Sequence, residues 1–168
     1  MKPPMMNGRP NDFQTPPEAI RPLLPYLKKD MVVWECASGK GNLVKAFEKE
    51  GYAVTASDIL TGQNYLSFEP EKWDVCITNP PFSCKDEFLE RAYSFGKPFA
   101  FLLPLTTFEG KKRQFLFRKH GIQVIFNPKR INFEVPSGNG SSSWFATAWF
   151  CWKFNLEKDM IFYEEVKA

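Results

Sequence analysis

Met31-Val32-Val33-Trp34-Glu35-Cys36-Ala37-Ser38-Gly39-Lys40-Gly41-Asn42-Leu43 decides how the chain is read. The apolar run MVVWECAS ends in small residues and reads as a buried strand. The next segment, KGNLVKAFEKEG, has helical spacing at Leu43, Val44 and Phe47, and Gly51 ends it. A strand that turns through glycines into a helix opens a doubly wound α/β sheet, and in such sheets that turn is where a nucleotide lies. Glu35 adds to this, because a carboxylate directly after VVW is costly unless it faces a ligand.

The turn also restricts the ligand. Val44 stands where the dinucleotide fingerprint has its third glycine, and no GxxxxGK[ST] phosphate loop is present, so a pyrophosphate is disfavoured. Asp58 ends the second strand, AVTASDI, 17 residues after Gly41. An acid there can accept both ribose hydroxyls. The combination suits an adenosine cofactor without phosphates, such as S-adenosylmethionine. Taken alone, the glycines also fit a simple tight turn and Asp58 a solvated strand end.

Outward from this unit, strand and helix alternate. FQTPPEAIRPLLPYL predicts a short helix opened by Pro16 and Pro17 and capped by Thr15. NYLSF, WDVCITN, PFAFLLPLT, IQVIFNPKRINF, WFATAWFCWKF and MIFYEE read as strands, and KDEFLERAYSFG and EGKKRQFLFRKHG as helices. The alternation implies right-handed crossovers and a mostly parallel sheet covered on both faces. No helix separates the last two strands, which predicts an antiparallel hairpin at one edge. Residues 1–12 read as a flexible tail, residues 13–168 as a single domain, and PSGNGSSS as a flexible loop.

Strand WDVCITN stops abruptly at Asn79-Pro80-Pro81-Phe82. Its end should face the same crevice as the glycine turn. Prolines fix φ and cannot donate, so they leave a rigid segment with carbonyl acceptors. Asn79 adds a side-chain acceptor, and Phe82 a flat face. Two acceptors close together can hold an NH2 group by both hydrogens, which suits an aromatic amine such as adenine N6. Elsewhere an Asn-Pro-Pro is more often a structural turn.

Composition sets limits. The 168 residues carry a net charge of +3, with 17 phenylalanines, four cysteines and one histidine. A strong basic footprint is absent, so a polyanion would need local patches such as Lys111-Lys112-Arg113 or Lys129-Arg130. Cations at Lys111-Lys112-Arg113, where a helix begins, are unfavourable unless they meet an anion. No cysteine pair has metal-ligand spacing, so no metal is expected. Cys36, Cys76 and Cys151 read as core thiols, and Cys84 and His120 as bystanders. No run is long enough to span a membrane, and a cytoplasmic protein is expected.

The motifs ECASGKGNL, ASDI, NYLSF and NPPF, in this order, resemble the amino-group methyltransferases that use S-adenosylmethionine, above all the adenine-N6 methyltransferases. RINF…GNGSSSWFATAWF also looks like the end of small phage-type DNA adenine methyltransferases. The resemblance implies a Rossmann-like class I methyltransferase fold with a seven-stranded sheet. It implies S-adenosylmethionine as cofactor, DNA more than RNA as substrate, and transfer to adenine N6. Phe13 and Thr15 would lie near the methionine end of the cofactor, and Glu35, Ala37, Gly39 and Gly41 would line it. Asp58 would hold the ribose, Ile59 would pack on the adenine, and Asn64 and Tyr65 would lie beside it. Asn64 stands where the family has Asp. Asn79, Pro80 and Pro81 would grip the target amine and Phe82 would stack on the base, which must leave its helix. Lys111, Lys112, Arg113, Lys129, Arg130, Ser142 and Trp144 are the candidate substrate contacts.

No loop reads as long enough to hold the separate target-recognition region common in such enzymes. Target choice would then be relaxed, or supplied by a partner subunit or a homodimer. The same chemistry on RNA or on a protein glutamine amide, or a silent partner of another methyltransferase, are the alternatives.

Overall fold

The computed structural model describes residues 14–133 and 145–165. The tail 1–12, Phe13, the loop 136–143 with Ser142, and Trp144 lie outside these residues.

Seven strands form one sheet: β1 (Val32–Glu35), β2 (Ala53–Ala56), β3 (Val75–Thr78), β4 (Phe99–Pro104), β5 (Gln123–Phe126), β6 (Thr147–Trp152) and β7 (Met160–Phe162). Their order is β2-β1-β3-β4-β6-β5-β7. The β2-β1, β1-β3, β3-β4 and β5-β7 pairs are parallel, and β6 runs antiparallel to both β4 and β5. This is the mostly parallel Rossmann-like sheet that the sequence predicts. The helices are α1 (Asn42–Lys49), α2 (Lys85–Ser94) and α3 (Lys111–His120).

The period of two along the strands sorts the core into two layers. Ala100 and Leu102 of β4 join Val33, Ile77 and Trp149 on one face, beneath Leu43, Ala46 and Phe47 of α1. Phe99, Phe101 and Leu103 join Trp34, Cys76 and Phe150 on the other face, beneath Phe88, Leu89 and Ala92 of α2 and Leu116 of α3. Every residue of β3 and β4 is buried, which explains their unbroken apolar runs. The phenylalanine excess goes largely into the second layer, where Phe99 and Phe101 lie 4.9 Å apart and Tyr65 stacks on Phe88 at 4.3 Å.

Three local expectations are corrected. The last two strands do not pair with each other: β6 inserts between β4 and β5, and β7 adds in parallel beside β5. The antiparallel contacts of that half of the sheet are therefore those of β6 with β4 and β5. Inserting β6 buries its first five residues, as its strong apolarity demands. NYLSF is not a strand. Asn64 Oδ1 accepts from Leu66 N at 3.0 Å, and Asn64 O accepts from Ser67 N and Phe68 N at 2.9 and 2.8 Å, so the backbone closes on itself. The N-terminal helix, Pro17–Tyr26, is of the 3-10 type and begins after Pro16, with no side-chain cap from Thr15. Pro22 and Pro25 lack the N–H groups a regular α-helix needs there.

That 3-10 helix is anchored to the sheet. Ala19, Ile20 and Leu23 are buried, and Trp149 Nε1 donates to the Ala19 carbonyl at 2.8 Å. Both groups are out of water, so removing the indole N–H strands a carbonyl. Trp149→Phe should therefore lower the stability by about 1–3 kcal/mol in urea unfolding followed by circular dichroism. An unchanged midpoint would show that the anchor carries no net stability.

Candidate active site

Strand order reverses at β1: β2 lies on one side and β3 on the other. The carboxyl ends of β1 and β3 thus open a crevice, where such sheets hold ligands. The glycine turn leaves β1 and the proline turn leaves β3, and both reach it.

Gly39 and Gly41 have φ of 51° and 84°, a left-handed backbone that a Cβ would strain. The turn is bonded to the end of β2. Ser57 N donates to Glu35 O at 2.9 Å, and Ser38 N to Ser57 O at 3.1 Å. Asp58 closes the arrangement: Oδ2 accepts from Gly39 N and Oδ1 from Leu60 N, both at 2.8 Å. Asp58 is buried, not a solvated strand end. Each carboxylate oxygen keeps a further lone pair. Ile59 and Leu60 follow and are 66% and 78% exposed, an apolar plate on the cavity rim.

Glu35 is 2% exposed. Burial pushes its carboxyl up to about 7, with the Ala37 amide and the nearby Thr78 hydroxyl pulling against it. The Ala37 N–H donates to Oε1 at 3.0 Å, whereas the Thr78 hydroxyl falls short of full hydrogen-bond geometry.

At the proline turn, Asn79 Nδ2 donates to Thr15 Oγ1 at 3.2 Å. Asn79 Oδ1 is buried and has no partner. An unmet buried acceptor is costly and uncommon. Pro80 is buried, and Pro81 O accepts from Cys84 N at 3.0 Å as the chain enters the turn before α2. Phe82 stands edge-on to Phe145, with ring centroids 5.4 Å apart and planes at 87°.

One cavity of about 330 Å³ gathers these parts. Thr15, Glu35, Ala37, Gly39, Asp58, Ile59, Asn64, Tyr65, Asn79 and Pro81 line it. Gly41, Pro80 and Phe82 are not among its lining residues. Tyr65 is a wall rather than a free polar contact, since its hydroxyl donates to Phe88 O at 3.2 Å and it is 2% exposed. Asn64 reaches the cavity with its oxygen already engaged by the Leu66 amide. Gln14, Ser38, Leu60 and Cys84 also line the wall and were not singled out as binding residues from sequence. Cys84 in particular is no remote bystander in position.

The basic residues divide. Arg113 Nη1 meets Asp86 Oδ1 at 2.7 Å and its Nε donates to Thr107 O at 2.9 Å, while Lys112 Nζ meets Glu90 Oε2 at 3.2 Å. These two cations that open α3 face the acids of α2, so the dipole cost is met inside the protein. Lys111 is exposed. Lys129 and Arg130 line a second groove of about 250 Å³, beside Pro16, Arg21 and Asn127. His120 ends α3 and stacks on Tyr93 at 4.5 Å. Cys36, Cys76 and Cys151 are buried free thiols. Among the described residues, no helix is long and apolar enough to cross a membrane, and no group of three or more His, Cys, Asp or Glu is placed to hold a metal ion.

Comparison with known proteins places this geometry in a fold. No family model matches the sequence, and no curated protein matches it. Solved structures do match. A type I restriction-modification methyltransferase subunit from Streptococcus thermophilus is similar at a TM-score of 0.61 and 17% identity, over 95% of this chain and 50% of that one. A protein from Listeria monocytogenes described as a class I S-adenosylmethionine-dependent methyltransferase is similar at 0.60 and 16%, over 94% and 67%. A protein from Vibrio vulnificus described as the modification subunit of a type I restriction enzyme is similar at 0.56 and 17%, over 86% and 45%. The chain spans about half the length of the two restriction-system subunits. With its reversal at β1 and its antiparallel β6, the chain has the Rossmann-like fold of the class I methyltransferases.

Proposed function

We propose that the protein is an S-adenosylmethionine-dependent methyltransferase acting on the N6 amine of adenine in DNA. The observation that carries this reading is the buried, unpartnered Asn79 Oδ1 at the proline turn, on the wall of the cavity that the glycine turn and Asp58 also line.

The donor set fits the cofactor. Asp58 has lone pairs left for ribose hydroxyls, and Ile59 and Leu60 give an apolar plate for a purine. A cavity of about 330 Å³ is of ligand size. Bound there, S-adenosylmethionine supplies an electrophilic methyl group. The chain's own residues then position the acceptor. Asn79 Oδ1 and the Pro80 carbonyl draw on the two N–H bonds of the amine, which frees the nitrogen lone pair from the ring. The amine becomes acidic as it gains positive charge, so no base need act before transfer. Catalysis on this reading is positioning and electrostatics. Phe82, held edge-on by Phe145, offers a face to the base. The phosphate backbone falls to Lys111 and Lys129, since Lys112 and Arg113 are engaged with α2. A homodimer or a partner subunit would supply target recognition.

Methyl-labelled S-adenosylmethionine incubated with DNA, RNA and protein should label DNA, with N6-methyladenine recovered on digestion. Label in protein alone would overturn the nucleic-acid reading. Asn79→Ala should lower kcat by roughly 100-fold or more while leaving cofactor affinity intact. Full activity in that variant would remove the proline turn from the active site.

Glu35 supplies a pH signature. Its folded pKa lies above the ordinary carboxylate value, so the unfolded chain gives up this proton first as pH rises. The stability it contributes is complete below about 4.5 and is lost as pH rises to about 7. Urea unfolding at pH 5 and pH 8 should show wild type losing up to ~3 kcal/mol more than Glu35→Gln across that window. Parallel pH profiles for the two proteins would contradict the assignment.

A further inference from the structure

Thr15 belongs to no helix, yet it is 4% exposed and held firmly. Its carbonyl accepts from Asn42 Nδ2 at 3.3 Å, at the start of α1. Pro16 and Pro17 follow and fix φ. Two residues further on, Ala19 is tied to Trp149 in β6. The place of the Thr15 hydroxyl is thus set by α1, by the 3-10 helix and by the sheet. That hydroxyl receives the Asn79 Nδ2–H at 3.2 Å.

An asparagine amide turns about a terminal bond with two broad minima, so a neighbour must choose between oxygen and nitrogen. With Nδ2 on Thr15, the oxygen points the other way, buried and unmet. The reverse orientation would leave an NH2 group, with two donors, in that same buried position. Neither hydrogen of that NH2 would be met by Thr15, and the turn would present donors rather than an acceptor to an incoming amine.

We propose that Thr15 is a positioning residue: its hydroxyl holds the Asn79 amide so that Oδ1, not Nδ2, meets an amino group entering beside Pro80. The inference rests on the reading that Asn79 grips a target amine, and it departs from the cofactor role that sequence resemblance assigns to Thr15. A hydroxyl engaged with Asn79 orients the acceptor and need not touch the cofactor.

Thr15→Val keeps the shape and deletes the hydroxyl, and Thr15→Ser restores it. Three quantities decide: kcat and KM for methyl transfer, calorimetric affinity for S-adenosylhomocysteine, and the side-chain amide resonances of Asn79 in protein labelled with nitrogen-15 asparagine. The Asn79 pair is identified by its loss in Asn79→Ala. Thr15→Val should lower kcat roughly 10- to 100-fold and change S-adenosylhomocysteine affinity by less than about two-fold, with Thr15→Ser recovering most of the rate. The Asn79 resonances should shift in Thr15→Val and return in Thr15→Ser. A loss of S-adenosylhomocysteine affinity matching the loss of rate would make Thr15 a cofactor contact and overturn the proposal. So would unchanged Asn79 resonances. If the wild-type protein methylates no amine while the resonances respond as stated, Thr15 still orients Asn79 and only the transferase reading fails.

Discussion

The site depends on one constraint, the reversal of strand order at β1. A strand flanked by β2 on one side and β3 on the other sends its chain out of a crevice rather than onto a closed surface. Three segments far apart in sequence then converge. The glycine turn leaves β1, Asp58 follows β2, and the proline turn leaves β3. Asp58 joins the first two, because one carboxylate takes the amides of Gly39 and Leu60 together. Thr15 joins the third to the segment before the 3-10 helix, through Asn79. The cavity is a junction of four chain segments, each fixed by backbone or amide hydrogen bonds.

Much of the fold was legible because buried parallel strands leave continuous apolar runs, as in β3 and β4. Gly51, Gly39 and Gly41 marked where the chain turns. That Asp58, Asn79 and Glu35 come together on one cavity was legible because polar groups at the ends of apolar strands need a reason to be there. Several differences from expectation share one cause. Local pattern does not say which partner a polar side chain chooses. Asn64 spends its oxygen on the Leu66 amide, which makes a turn of an apparent strand. Thr15 has the composition of a helix cap, but its hydroxyl goes to a residue 64 positions away. Lys112 and Arg113 look like solvent-facing cations, and their partners lie on another helix. The pairing of β7 with β5 rather than β6 likewise reflects the burial of β6 between two neighbours, which no adjacent residue encodes.

The resemblance between distant methyltransferase structures and this chain is one of architecture, at 16–17% identity. Few groups finish the proline turn. Asn79 has one amide hydrogen-bonded to Thr15 and one oxygen left over. Phe82 is braced by Phe145, which itself stacks on Phe133 at 5.9 Å. A three-ring tier of this kind limits how far Phe82 can tilt, and makes the segment before β6 part of the wall around the proline turn.

The ion pairs between α2 and α3 bear on the surroundings of that turn as well as on packing. Helix α2 begins three residues after Phe82 and carries Asp86, Glu87 and Glu90. Bare, those carboxylates would set a negative field beside Asn79. Arg113 and Lys112 cancel the charge of Asp86 and Glu90 at distances of 2.7 and 3.2 Å. The opposed charges form short dipoles whose potential decays far faster with distance than that of free acids. The two cations that open α3 thus lie against α2, and Asp86 and Glu90 no longer stand as free carboxylates beside the proline turn.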